Sequence, residues 1–280
     1  MKRGNFMLEL PESATICRQI SETLADKTIT SAVAASSPHG FAWYFGEPAM
    51  YGELLSGKRI TGAKPRAGQV EIYAEDMRIC LNDGVNVRFY AADAKKPDKH
   101  QLRVDFDDGS ALICTVQMYG GLMAFPSGAN ENPYYLVATE KPSPLTDDFD
   151  EAYFGTMFEG AKKTLSAKAF LATEQRVPGL GNGVLQDILF RAGIHPKTKI
   201  GTFDAKTLHR LFSSVKETLA KMTHLGGRDT EKDLFGNPGG YNTVLSAKKL
   251  AYPCPVCGSG LVRQAYLGGN IYFCPNCQKA

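Results

Sequence analysis

Four of the seven cysteines fall into two Cys-x2-Cys pairs, Cys254/Cys257 and Cys274/Cys277, with 16 residues between them. No other feature constrains the chain as tightly. Each pair can turn two thiolates toward one cation from a tight knuckle, and the residues between are of a length for a β-hairpin. Zinc takes four thiolates as a closed tetrahedron, so the predicted site holds one structural ion and leaves no position for a reacting water. A segment this short buries little apolar surface, and its folding is expected to depend on the metal. The predicted hairpin, residues 261–273, carries Arg263, Gln264 and Asn270 with the aromatics Tyr266, Tyr272 and Phe273. A redox role is the alternative reading of such thiol pairs. Cys17, Cys80 and Cys114 stand in apolar stretches and read as buried.

The rest of the 280-residue chain changes character near position 140. Before it the pattern is mainly β. A helix is predicted from Pro11 to about Lys27, because Ile16, Ile20 and Leu24 recur at four-residue spacing. Strands follow at residues 69–74, 77–81, 85–91 and 102–106, and the turn formers Asn82-Asp83-Gly84 and Asp107-Asp108-Gly109 predict two hairpins. This spacing fits a β-sandwich or barrel. After the polar, proline-bearing run 139–150, helical periods predict helices over 149–158, 160–173, 182–193 and 203–224. The domain reading is therefore a β domain over 1–138, a linker over 139–150, a helical domain over 151–245 and a finger over 246–280.

Charge follows the same division. The formal net charge of +3 splits into −5 over residues 1–150 and +8 over residues 151–280. A basic half suits a polyanion surface, although a solvated charged face has the same composition. No apolar run reaches the roughly 20 residues a bilayer requires. The opening MKRGNFMLELPES has no apolar core of signal-peptide length. The expectation is a cytoplasmic protein with no membrane partner.

Between two helical stretches lies Val177-Pro178-Gly179-Leu180-Gly181-Asn182-Gly183. Glycine permits close backbone approach to a ligand, and the amides of a helix start form a ready phosphate site. The same loop also reads as a plain helix cap.

The order Lys168-x2-Leu171, Glu174-Gln175, Val177-x-Gly179-Leu180-Gly181-Asn182, Leu189-Phe190-x-Ala192-Gly193-Ile194-His195-Pro196 resembles the helix–two-turn–helix motif of the formamidopyrimidine-DNA glycosylase/endonuclease VIII family. The opening Glu9-Leu10-Pro11-Glu12, the interdomain Thr146-Asp147-Asp148-Phe149 and the finger from Cys254 to Gln278 are similar to the family in the same order. The resemblance implies an α+β fold: an N-terminal β-sandwich with flanking helices, a helical domain and a zinc-ribbon finger. It implies a monomer that acts on double-stranded DNA carrying a damaged base or an abasic site. Lys168, Asn182 and His100 would contact phosphate. A histidine beside a lysine in a polar turn is also commonly just solvated.

The family excises an oxidised base and then cleaves at the sugar through an imine on its N-terminal amine. The neighbouring glutamate serves as general acid/base, which here is Glu9. Lys64 is similar to the hairpin lysine of the lyase step, and a surface lysine is the other reading. The nucleophile position holds Leu8 in place of proline. If the chain begins at Met1, the Leu8 nitrogen is an amide whose lone pair is delocalised. Beginning at Met7 would set the amine one residue out of place. The finger arginine is replaced at Gly269, and Asp83, Met118 and Tyr119 stand where the family carries the residues that fill the helix after base eversion. The activity the resemblance implies is that of a DNA repair glycosylase/abasic-site lyase acting on oxidised bases, in a protein that is nucleoid-associated when bound to DNA. The alternatives are a lapsed member that binds damaged or structured DNA without cutting, and an RNA binder.

Overall fold

The computed structural model describes residues 7–279. The chain forms two compact units, one of residues 1–139 with 225–240 and the other of residues 140–224 with 241–280.

Unit 1 begins with helix α1 (Leu10–Leu24), which has proline in its first turn, where no intrahelical donor is lost. Ile16, Ile20 and Leu24 are fully buried, and each contributes about 2 kcal/mol by leaving water. The helix stops at Ala25, before Asp26 takes a left-handed backbone at φ 68°. There follow β1 (Ile29–Ala34), β2 (Ala42–Trp43), helix α2 (Tyr51–Leu55), β3 (Ile60–Arg66), β4 (Gln69–Ala74), β5 (Met77–Leu81), β6 (Val85–Tyr90), β7 (Leu102–Phe106), β8 (Ala111–Val116), β9 (Gly120–Pro126) and helix α3 (Pro133–Glu140). The strands make a four-stranded sheet in the order β1-β7-β8-β6 and a five-stranded sheet in the order β2-β9-β5-β4-β3. One apolar core joins both sheets and α1, through residues such as Ile16, Ile72, Ile79, Val87, Val104 and Leu112.

The turn at 107–109 makes the expected hairpin, with Leu102 opposite Cys114. The turn at 82–84 does not. β5 pairs with β4 and β9, whereas β6 pairs with β8 in the other sheet. Asp83, at φ 48°, carries the chain from one sheet to the other. Asn82 secures this crossing, because its Oδ1 accepts the Gly121 N–H at 2.7 Å.

Unit 2 contains α4 (Glu151–Glu159), α5 (Ala167–Ala172), α6 (Asn182–Arg191), α7 (Ala205–His224) and the hairpin β10 (Val262–Tyr266) with β11 (Gly269–Phe273). The helix expected over 160–173 is confined to α5, because the Ser166 side chain caps it by accepting the Ala169 N–H at 3.2 Å. The finger shares an apolar cluster with the helices through Phe190, Leu245, Cys254 and Cys274.

Residues 225–240 depart from the expected domain boundaries. They follow α7 in sequence but fold into unit 1. Gln19 of α1 donates to Asp233 at 2.9 Å and accepts the Leu234 N–H at 3.0 Å, and Leu234 enters the sandwich core. These partners lie more than 200 residues apart, beyond the reach of any local pattern.

Candidate functional site

The acidic site of unit 1 is built around the start of α1. Glu9 occupies the N-cap position with an extended backbone and is 4% exposed. The Leu8 N–H donates to the Asp83 carbonyl at 2.8 Å, and the Leu8 side chain belongs to the core. A nitrogen that is an amide, donates its hydrogen and lies under a buried side chain has no lone pair to offer a sugar carbon. Residues 1–6 precede the described ones, so a chain start at Met1 lies outside them. Met7 is described, and its N–H donates to Glu231 Oε2 at 3.2 Å.

Arg228 is the cation of this site. Its backbone N–H and Nε both donate to Glu12 Oε1 at 3.0 Å, and Nη2 donates to Oε2 at 2.8 Å. Nη1 lies 3.5 Å from Glu9 Oε1. Burial opposes its charge, but the carboxylates of Glu12 and Glu9 outweigh that and raise its pKa. Burial pushes Glu231 up to about 7, with Glu12 and Glu9 adding to the shift and Arg228 and the Met7 N–H opposing it. Sequence reading missed both Arg228 and Glu231. The available signal was the pair of double glycines around them, Gly226-Gly227 and Gly239-Gly240. A Cβ at Gly239 would fall 2.2 Å from the Gly227 carbonyl carbon, so only glycine lets the segment close on itself.

Asp83 is half-buried. It accepts from the Tyr134 hydroxyl at 2.8 Å, and burial raises its pKa, with that hydrogen bond opposing. Met118 is exposed, and the Tyr119 ring lies 6.0 Å from that of the exposed Trp43. Lys64 is exposed on β3, an edge strand, opposite Glu71. His100 is only 7% exposed, and neither ring nitrogen has a hydrogen-bond partner among the described residues. The solvated turn histidine of the sequence reading is thus enclosed.

In unit 2 the structure brings together Lys168, Asn182 and Gly269. Lys168 is buried on α5 and its Nζ donates to the Tyr266 carbonyl at 2.8 Å. Burial lowers its pKa. Asn182, at the first position of α6, donates through Nδ2 to the Asn270 carbonyl at 2.9 Å. Its Oδ1 is buried without a hydrogen-bond partner among the described residues. Gln186, one turn on, donates to the same carbonyl at 3.2 Å and accepts the Tyr272 N–H at 3.0 Å. A Cβ on Gly269 would lie 3.7 Å from both Lys168 Nζ and Asn182 Nδ2. The turn that sets Gly269 there has Leu267 and Gly268 at φ 47° and 71°, as a two-residue hairpin loop requires. The finger's own guanidinium is Arg263, whose Nε donates to Asn270 Oδ1 at 3.0 Å.

The four cysteine sulfurs lie within 4.8 Å of one another. Cys254 and Cys277 are 3.8 Å apart, and Cys257 and Cys274 are 3.4 Å apart. A tetrahedral zinc–thiolate centre needs sulfurs about 3.8 Å apart, so the donor set and its size fit such an ion. Gly258, at φ 73°, closes the first knuckle by donating to the Cys254 carbonyl at 2.9 Å. Gln278 closes the second, its backbone N–H donating to the Cys274 carbonyl while its side chain accepts the Cys274 N–H. No helix among the described residues is long and apolar enough to cross a membrane.

Comparison with known proteins covers both units. Residues 7–124 match the formamidopyrimidine-DNA glycosylase N-terminal domain, and residues 141–233 match the formamidopyrimidine-DNA glycosylase H2TH domain. A formamidopyrimidine-DNA glycosylase of Lactococcus lactis subsp. cremoris is 29% identical over 280 residues, spanning 98% of this chain and 100% of the relative. One from Legionella pneumophila (strain Paris) is 28% identical over 281 residues, spanning 97% and 98%. The crystal structure of Lactococcus lactis Fpg in complex with abasic-site DNA matches with a TM-score of 0.83 at 26% identity, covering 97% of this chain and 100% of that one. The wild-type Lactococcus enzyme in complex with N7-benzyl-Fapy-dG DNA matches equally well, with a TM-score of 0.83.

Proposed function

The chain belongs to the formamidopyrimidine-DNA glycosylase family and is a DNA repair glycosylase; we propose that it releases oxidised bases from duplex DNA by hydrolysis, with Glu9 as the acting carboxylate. One observation carries the hydrolytic reading: the Leu8 N–H is spent on the Asp83 carbonyl, while the carboxylate next to it is held by Arg228. The base departs with the electron pair of the C1′–N bond. A water oxygen bonds C1′ and gives its proton to Glu9.

Lys168 and Asn182 take phosphate oxygens beside the lesion, and the helix start at Asn182 favours that anion. The carbonyls that hold both side chains are neutral, so a phosphate can take their place without separating an ion pair. Arg263 serves the finger's side of the backbone. Cys254, Cys257, Cys274 and Cys277 hold one structural zinc, whose four sulfur ligands keep it out of the reaction. Imine-dependent strand cleavage has no amine at the Leu8 position, and the exposed Lys64 and an N-terminus at Met7 are the candidates for it.

The test is a duplex carrying one formamidopyrimidine lesion, incubated with protein of known N-terminal mass and then treated with borohydride. Wild type is expected to release the base and form no covalent adduct, and Glu9→Gln to bind the duplex without releasing the base. Full release by Glu9→Gln would remove Glu9 from the mechanism. An adduct mapped to Lys64 or to an N-terminus trimmed to Met7 would restore the imine route.

A further inference from the structure

The segment 225–240 gathers three carboxylates around one guanidinium. Glu9, Glu12, Glu231 and Arg228 are each less than 9% exposed. One buried cation cannot neutralise three buried carboxylates, so the cluster cannot keep all of them ionised cheaply. The geometry ranks them. Glu12 takes three donors from Arg228 at 2.8 to 3.0 Å, and this two-pronged pair is structural. Glu9 meets Arg228 through Nη1, at the longer distance of 3.5 Å. Glu231 accepts the Met7 N–H, while Arg228 Nη2 reaches the Met7 carbonyl at 3.5 Å. Met7 is thus bracketed by Glu231 on its nitrogen and by Arg228 on its oxygen, and the Leu8 N–H is tied to Asp83. Together these tethers aim the backbone that carries Glu9.

We propose that Arg228 and Glu231 are positioning residues for Glu9: Arg228 fixes its carboxylate, and one proton on Glu231 sets how strongly Arg228 is shared. This rests on Glu9 being the acting carboxylate. With Glu231 protonated, Arg228 answers to two carboxylates. With Glu231 ionised, a third negative charge competes for it, and Arg228 is drawn from Glu9 toward Glu231. Glu231 is pushed up to about 7 by its burial, so this exchange falls at neutral pH. The charged groups that face Glu231 are Arg228, Glu12 and Glu9, with Arg88 of β6 also feeling its charge. Lys232 and Asp233 line the same narrow pocket.

The experiment is single-turnover base release from a duplex carrying one formamidopyrimidine lesion, followed across neutral pH, with duplex affinity measured in parallel. Wild type is expected to show a break in its rate near pH 7, where Glu231 titrates. Glu231→Gln should lose the break while keeping its affinity. Arg228→Lys keeps a charge but not the planar fork, and should slow release by about ten- to a hundredfold, the scale of a carboxylate displaced by an ångström or less. Its affinity should not change. A break that persists in Glu231→Gln overturns the proposal while the glycosylase reading stands, and this variant decides alone if Arg228→Lys does not fold. Wild type that releases no base overturns the reading of Glu9 and the proposal together.

Discussion

In unit 2, Lys168 and Asn182 are held by neutral backbone carbonyls of the finger at 2.8 and 2.9 Å, whereas in unit 1 Glu9 shares a buried guanidinium with Glu12 and the rising charge of Glu231. The first arrangement costs less to exchange, since no ion pair is separated: a hydrogen bond between neutral groups, as at Asn182, is worth about 1 kcal/mol net, and one from a charged donor, as at Lys168, about 1.5–3 kcal/mol. It suits groups that must let go of the protein to hold a phosphate. The second is expensive to disturb, because removing one partner of a buried ion pair costs about 3–5 kcal/mol. It suits a carboxylate that must not wander. On the roles proposed for them, the difference teaches that binding groups and an acting group are presented by the same chain through opposite electrostatics.

The largest expected effect would break the unit 2 side of this comparison. Stripping the proposed zinc with a chelator removes on the order of 10 kcal/mol from the folding of the finger, and Cys257→Ser weakens it in the same direction. The carbonyls of Tyr266 and Asn270 then no longer hold Lys168 and Asn182, and duplex affinity measured by fluorescence anisotropy should collapse. Affinity that survives chelation would show that the finger does not support these groups.

A smaller effect sharpens the unit 1 side. Glu231 has a folded pKa raised from 4.5 to about 7, so its favourable contribution is complete below about pH 4.5 and is lost as pH rises through about 7. Glu231→Gln mimics the protonated form at every pH. It should therefore be more stable than wild type above pH 8 by up to about 3 kcal/mol, with the two converging near pH 5. Denaturant melts at both pH values check the sign, and an advantage at the lower pH alone would refute it.

The smallest effect separates two kinds of phosphate contact. Asn182→Ala should weaken duplex binding by roughly 1–3 kcal/mol and leave its salt dependence unchanged. Lys168→Met should lower the slope of log affinity against log salt by about 0.9, the share of one phosphate charge. Equal salt slopes in Lys168→Met and wild type would mean that Lys168 stays on the Tyr266 carbonyl when DNA binds.

How much of this was legible beforehand depended on the range of the interaction. The four cysteines were readable because each knuckle closes within five residues, as the Gly258 N–H on the Cys254 carbonyl does. The loop before α6 was readable from its glycines and Asn182, and α1 from its four-residue spacing. The 82–84 turn was misread because Asn-Asp-Gly specifies a bend, not the strand that follows it. The same bend serves a hairpin or a crossing between sheets, and the choice was made by Asn82 finding Gly121. The 7% exposure of His100 and the outward position of Lys64 likewise depend on neighbours that no local spacing describes.

The sequence by itself determined the chemistry at hand: four thiolates at ribbon spacing, a glutamate at the start of a helix, an asparagine at the start of another and no proline at position 8. Those are properties of residue type and short separation, set by covalent reach. Only the tertiary structure decided what each group faces. It returned residues 225–240 to unit 1, put Arg228 against Glu9 and Glu12, and tied the Leu8 N–H to Asp83. A buried charge is stable only where its partner arrives, and here Arg228 lies 216 residues along the chain from Glu12.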